Sequence, residues 1–121
     1  MYKALYLSPM IPSFHIEETV RFFTDILGFS TILDAETYVI CQKDNLTVHI
    51  LRAGQDIGQM ECYLEVDDIG KLWEAIRDRV RGMKVRAPFD REYGMREIHI
   101  GVPQTNTLLF IGQDLHRQSP K

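Results

Sequence analysis

The sequence predicts an α+β fold: two βαβββ modules whose sheets join into one curved mixed sheet around a cleft. Three observations predict it. A shift of about 53 positions lays Met10-Ile11-Pro12 on Tyr63-Leu64-Glu65, and lays Ile16, Val20, Phe23 and Leu27 on Ile69, Trp73, Ile76 and Val80. Each of these apolar stripes has the spacing of one helical face and stops at a glycine, Gly28 or Gly82, with one residue inserted in the second copy. Each copy then closes with a strand-like run opening on Asn, at Asn45 and at Asn106. A module this small covers one face of its sheet with its helix and leaves the other face over. The two leftover faces would line a cleft, the natural place for a ligand.

Taken in order, residues 2–10 read as a strand, rich in Tyr and Leu, that Pro9 and Pro12 end or confine to a sheet edge. Residues 16–27 read as the first helix, with Glu17 and Glu18 in the turn where the helix dipole favours anions. Residues 29–33, 37–42 and 46–52 read as strands, the last two joined by a tight Lys43-Asp44-Asn45 turn. The stretch 53–58, with Gly54 and Gly58, is the linker between a first module at 2–52 and a second at 59–113. The second opens with a strand at 60–66. Asp68, beside Asp67, is placed to cap a helix whose apolar face is Ile69, Leu72, Trp73, Ile76 and Val80. Arg77, Arg79 and Arg81 crowd that helix's last turns, where the dipole favours cations. A short strand at 83–87, a polar and aromatic loop at 88–94 and a hairpin of 95–102 with 107–112 complete the copy. Residues 114–121 are polar and without period, a tail expected to fray.

Composition bounds the function. One domain is expected from 121 residues, and 45% hydrophobic residues suffice for an ordinary core. A net charge of -3 argues against a nucleic-acid partner, which would favour a basic face. Cys41 and Cys62 sit inside apolar runs and read as small core residues of a reducing compartment rather than a disulfide or zinc motif. No apolar run approaches the roughly 18 residues that span a membrane. No basic segment precedes an apolar run as in a secretory leader, so a cytoplasmic protein without a membrane partner is expected.

Strand parity sorts the side chains. Cys62, Leu64 and Val66 are expected under the second helix, leaving Glu61, Tyr63 and Glu65 to the cleft. The repeat places Ser8, Met10 and Pro12 equivalently. Leu46, Val48 and Ile50 read as core, with Thr47, His49 and Leu51 opposite; Ile98 and Ile100 read as core, with Glu97 and His99 opposite.

The pattern resembles the vicinal-oxygen-chelate superfamily of glyoxalase I, the bleomycin and fosfomycin resistance proteins and the extradiol dioxygenases. Phe22-Phe23-Thr24-Asp25-Ile26-Leu27-Gly28-Phe29 is similar to its FY-x-D-x-LGF motif, and Glu65-Val66-Asp67-Asp68 to its second-copy signature. Tyr93-Gly94-Met95-Arg96-Glu97 through Val102-Pro103-Gln104-Thr105-Asn106 is similar to its G-x-R-E…D-P-D-G-N ending, of which only the Pro and Asn of the last five remain. His15 stands where the family has Asp before the first helix. The resemblance implies the glyoxalase/bleomycin resistance fold and places the family's metal-ligand positions at Ser8, His49, Glu61 and Leu109. Leu109 cannot bind a metal and Ser8 is a poor ligand, whereas a catalytic site usually has at least three protein ligands. The reading is therefore nearest the metal-free, bleomycin-resistance-like members: a small molecule held in the inter-module cleft without a cofactor. The alternative is a metal-dependent lyase, isomerase or dioxygenase that uses His49 and Glu61 on a divalent metal.

The expected cleft residues are Ser8, Met10, His49, Glu61, Tyr63, Glu65, Tyr93, Met95, Glu97, His99 and Leu109. His49 with Glu61 reads either as an acid–base pair or as a polar pair on a wet wall. Glu61, Glu65 and Glu97 read as an acidic lining for a cation or as solvated edge residues. Tyr63, Tyr93 and Met95, with Phe14, offer stacking surface or ordinary packing. Arg91 and Arg96 either grip an anion or pair with Asp90 and Glu92. The resemblance also implies a homodimer, often with exchanged modules, for which 53–58 is the hinge. A module with an interaction role only is the remaining class.

Overall fold

The computed structural model describes residues 1–116. Strand β1 (Met10–Ser13) leads into helix α1 (Ile16–Arg21), which continues as a π-helical turn (Phe22–Ile26). Strands β2 (Ser30–Asp34), β3 (Tyr38–Lys43) and β4 (Leu46–Arg52) complete the first module. The second contains β5 (Met60–Glu65), α2 (Ile69–Ile76), β6 (Val85–Asp90), β7 (Met95–Gly101) and β8 (Thr107–Asp114). The class is α+β and both modules are βαβββ, as the repeat predicts. Hydrogen bonding divides the strands into two four-stranded sheets of identical order, β1-β4-β3-β2 and β5-β8-β7-β6. In each, the first strand runs parallel to the last and the others are antiparallel.

The first strand is shorter than the sequence suggests. Residues 2–9 form no strand, and β1 begins at Met10. Its register, Met10 opposite His49 and Ile11 opposite Ile50, brings Leu7 level with Leu46, where β4 starts. Upstream residues therefore have no strand to pair with. Pro12 is tolerated because β1 is an edge strand, bonded to β4 alone.

Both helices have the caps their sequences need. Asp68 accepts the Lys71 N–H at 3.0 Å, and His15 fills the same role for α1 by accepting the Glu18 N–H through Nδ1 at 3.4 Å. The helix stops Gly28 and Gly82 have φ of +78° and +86°, the left-handed conformation that glycine adopts without penalty. Helix α2 is shorter than its apolar stripe: Val80 lies in the turns beyond it yet is fully buried. No helix among the described residues is long and apolar enough to cross a membrane.

The helix-facing sides of both sheets bury into one core. Val48 and Ile50 join it from the first sheet, Ile98, Ile100 and Ile111 from the second, and Phe22, Phe23, Ile69 and Ile76 from the helical segments. Phe22, Phe23 and Phe29 meet edge to face, with centroids 5.2 and 5.5 Å apart. Cys41 is buried and unpaired, Cys62 half-buried and unpaired, and burial pushes both thiols up. Trp73 packs against this core from α2. Leu46, read as core, is instead half exposed, because it opens β4 directly after the turn.

The modules are also joined by polar contacts at one end. The fully buried Thr19 of α1 donates from Oγ1 to the Pro103 carbonyl at 2.8 Å and lies 2.6 Å from Ser13 Oγ. Phe14 N–H donates to the Gln104 carbonyl at 2.8 Å, and a single backbone bridge pairs Ser13 with Thr105. Replacing Thr19 by Val keeps the shape but strands the part-buried Pro103 carbonyl and the buried Ser13 hydroxyl. Thr19→Val is expected to cost about 1–3 kcal/mol in denaturant unfolding, and Thr19→Ser much less. Equal losses in the two variants would contradict a hydrogen-bonded role.

Candidate functional site

The side chains that point away from the helices gather into two polar clusters, one on each sheet. On the first sheet, antiparallel pairing sets Ile40 opposite His49 and Tyr38 opposite Leu51, so Tyr38 reaches the imidazole diagonally. Its hydroxyl lies 2.5 Å from His49 Nδ1. The Tyr6 hydroxyl lies 2.5 Å from His49 Nε2 and 2.5 Å from Thr47 Oγ1. Thr47 donates to Ser8 Oγ at 2.8 Å, and Ser8 donates to the Thr47 carbonyl at 2.9 Å. Both imidazole nitrogens are thus engaged by phenols. Tyr6 and Tyr38 were missed by the sequence reading, although Tyr6 shares parity with Ser8 and Met10, and Tyr38 alternates with the core residues Val39 and Cys41.

The second cluster is centred on Glu97 of β7, which is only 1% exposed although it lies on the non-helical face. Its Oε2 accepts the Tyr93 hydroxyl at 2.7 Å. Its Oε1 lies 2.8 Å from His99 Nε2 and accepts from Arg91 Nη1 at 3.3 Å. A carboxylate only accepts, so Nε2 is the nitrogen of His99 that carries a proton. The ring of His99 stacks on Phe110 with centroids 4.0 Å apart and meets Phe89 edge-on at 4.9 Å. The Arg86 guanidinium sits 3.5 Å above Phe89, and Arg91 sits 4.8 Å from the Tyr93 centroid. Tyr63 lies across Gly112, the residue paired with Glu97: a Cβ there would come within 2.7 Å of the Tyr63 hydroxyl.

Burial alone would push the Glu97 carboxyl up. The bonds from His99 and Tyr93 and the Arg91 charge outweigh it and hold the carboxyl below its usual range. The same bond to Glu97, reinforced by desolvation, holds the Tyr93 phenol in its neutral form and pushes it up. Arg96 does not enter the cluster. It donates twice to Asp90, at 2.6 and 3.2 Å, and that bond lowers the Asp90 carboxyl.

The expected residues are therefore divided rather than converged. Ser8 and His49 belong to the first cluster, and Tyr93, Glu97 and His99 to the second. Met10 is exposed on β1 and Met95 is half-buried at the start of β7. Glu61 and Glu65 lie exposed along β5, and no hydrogen bond or ion pair joins Glu61 to His49. Leu109 is corrected. It is 4% exposed and level with Cys62 and Ile100, both on the helix-facing side, so it is core. The cleft-side positions of β8 are its neighbours Leu108 and Phe110. The donors do not fit a metal: among the described residues no three His, Cys, Asp or Glu side chains gather in a way that could hold one.

Glu97 gives a pH test. Its ionised form is favoured by the fold, so its contribution is present above the ordinary carboxylate value of 4.5 and is lost as pH falls through the lower folded value. Glu97→Gln is expected to cost about 1.5–3 kcal/mol near neutral pH and to flatten the acid limb of a stability–pH curve. An unchanged acid limb would show that Glu97 is not held ionised.

No protein-family model and no curated protein matches the sequence. Solved structures do match. A glyoxalase/bleomycin resistance protein/dioxygenase from Nocardioides superposes with a TM-score of 0.75 at 15% identity, covering 100% of this chain and 91% of that one. A bleomycin-binding protein complexed with bleomycin gives 0.75 at 20% identity, covering 91% and 98%. The bleomycin-binding protein of the bleomycin-producing Streptomyces verticillus, complexed with copper(II)-bleomycin, gives 0.73 at 21%, covering 92% and 97%. The two repeats, their strand order and this superposition together establish that the chain has the glyoxalase/bleomycin-resistance fold.

Proposed function

We propose that the protein binds a planar organic molecule on the non-helical face of its second sheet and holds it without chemical change and without a metal. The observation that carries this reading is the saturation of Glu97. Both carboxylate oxygens accept hydrogen bonds and Arg91 offsets the charge, so the group organises the surface instead of serving as a free base. What the face offers a ligand is ring surface. Phe110 and His99 are stacked and partly open, and Tyr63 and Tyr93 are 51% and 53% exposed. Any preference for a cation would come from the exposed Glu61, since the charge of Glu97 is already matched.

Titration calorimetry with metal-free and copper-loaded bleomycin, alongside smaller planar cations, tests this. A binding ligand is expected to be recovered unchanged, and Phe110→Ala to weaken it about tenfold, as losing a stacked ring implies. Undiminished affinity in both Phe110→Ala and Tyr63→Ala, or conversion of the ligand, would overturn the proposal.

A homodimer is part of the same reading. Tyr2, Leu5 and Leu7 precede β1 and stand exposed, an apolar segment of the kind that marks an interface. Light scattering is expected to give a dimer that dissociates on replacing Leu5 and Leu7 by Lys. A monomer at every concentration would contradict it.

A further inference from the structure

A cavity of about 120 Å³ opens at the seam between the modules. Its floor is Ile11, Phe23, Phe29, Val48 and Leu109, all buried, and Cys62 and Leu64 form a wall from the second module. Pro9, Leu46 and Tyr63 stand exposed at its mouth. The lining offers little to water. The Thr47 hydroxyl is engaged by Tyr6 and Ser8, the Tyr63 hydroxyl lies over Gly112, and a thiol is a weak donor. A bound water needs about 2–4 polar partners, which this lining does not supply, so water held in the pocket is readily displaced by an apolar guest.

We propose that this seam cavity binds a small, uncharged, ring-sized hydrocarbon or heteroaromatic group, and that the occupant bridges the two modules. The half exposure of Leu46, an apolar residue at a core parity position, fits a mouth that closes on such a guest. The site meets the aromatic face around Glu97 at Tyr63, whose hydroxyl lies over Gly112, but its floor is on the opposite side of the sheet. Leu109 lines the cavity, while its neighbour Phe110 belongs to the opposite side of β8.

Cys62 reports on the cavity directly. It is half-buried at the wall, while Cys41 is fully buried and serves as an internal standard. The experiment measures alkylation of each thiol by iodoacetamide, using mass spectrometry, with toluene or indole as the probe. At roughly ten times its dissociation constant, a probe in the cavity is expected to slow Cys62 about tenfold by occupancy. Leu46→Trp should cover the mouth, making Cys62 slow with or without probe. Cys62→Met should fill the wall and abolish the rise in unfolding temperature that the probe gives the parent. Phe110→Ala should leave the protection intact. An unchanged Cys62 rate up to the solubility limit of both probes would overturn the proposal. So would a probe-induced stabilisation that persists in Cys62→Met, or protection that disappears in Phe110→Ala, which would put the probe on the outer face. The outer-face reading stands or falls separately, on the calorimetry of the Phe110 variant, because Phe110 does not line the cavity while Tyr63 touches both sites.

Discussion

Ile50 on the first sheet and Ile100 and Ile111 on the second are completely buried, together with Ile69 and Ile76 of α2, in one continuous apolar core. Fully burying such a side chain contributes about 1.5–3 kcal/mol, so this shared core outweighs any single polar contact in the chain. It also fixes parity. Once Val48 and Ile50 face the helices, Thr47 and His49 must face away; once Ile98 and Ile100 face them, Glu97 and His99 must face away. The position of every candidate functional group follows from which neighbour is apolar.

The outward groups then have to be made compatible with partial burial. Each sheet solves this by internal saturation. His49 is bonded at both nitrogens by Tyr6 and Tyr38, and Glu97 at both oxygens by Tyr93, His99 and Arg91. Among the described residues no buried side-chain polar atom lacks a partner. A network satisfied in this way is rigid and presents its rings in fixed positions, which suits recognition of a flat ligand.

Much of the scaffold was legible in the sequence because it rests on local rules. The repeat, the two apolar stripes, the glycine stops and the Asp68 cap each announce themselves within a few residues. Residues 2–6 form no strand although Tyr and Leu favour one, because β4 begins at Leu46, level with Leu7, and offers them nothing to pair with. Leu109 was placed in the cleft by analogy with a metal position, but its level with Cys62 and Ile100 puts it in the core. The clusters were only half legible. Parity singled out His49, Glu97 and His99, but not that Tyr6 and Tyr38 close on one and Arg91, Tyr93 and Phe110 on the others, since those contacts depend on strand register and side-chain reach. His49 and Glu61, paired by analogy, share no bond.

The polar groups of the two faces are committed to one another, His49 to Tyr6 and Tyr38, and Glu97 to Tyr93, His99 and Arg91. Amide NMR during titration with Mn²⁺ tests this most directly, because a bound paramagnetic ion broadens signals around its ligands. The account predicts only weak broadening near exposed carboxylates such as Glu61, with Tyr6, Tyr38 and His49 no more affected than the rest of their sheet. Saturable, localised broadening centred on His49, or on Glu97 and His99, would contradict it.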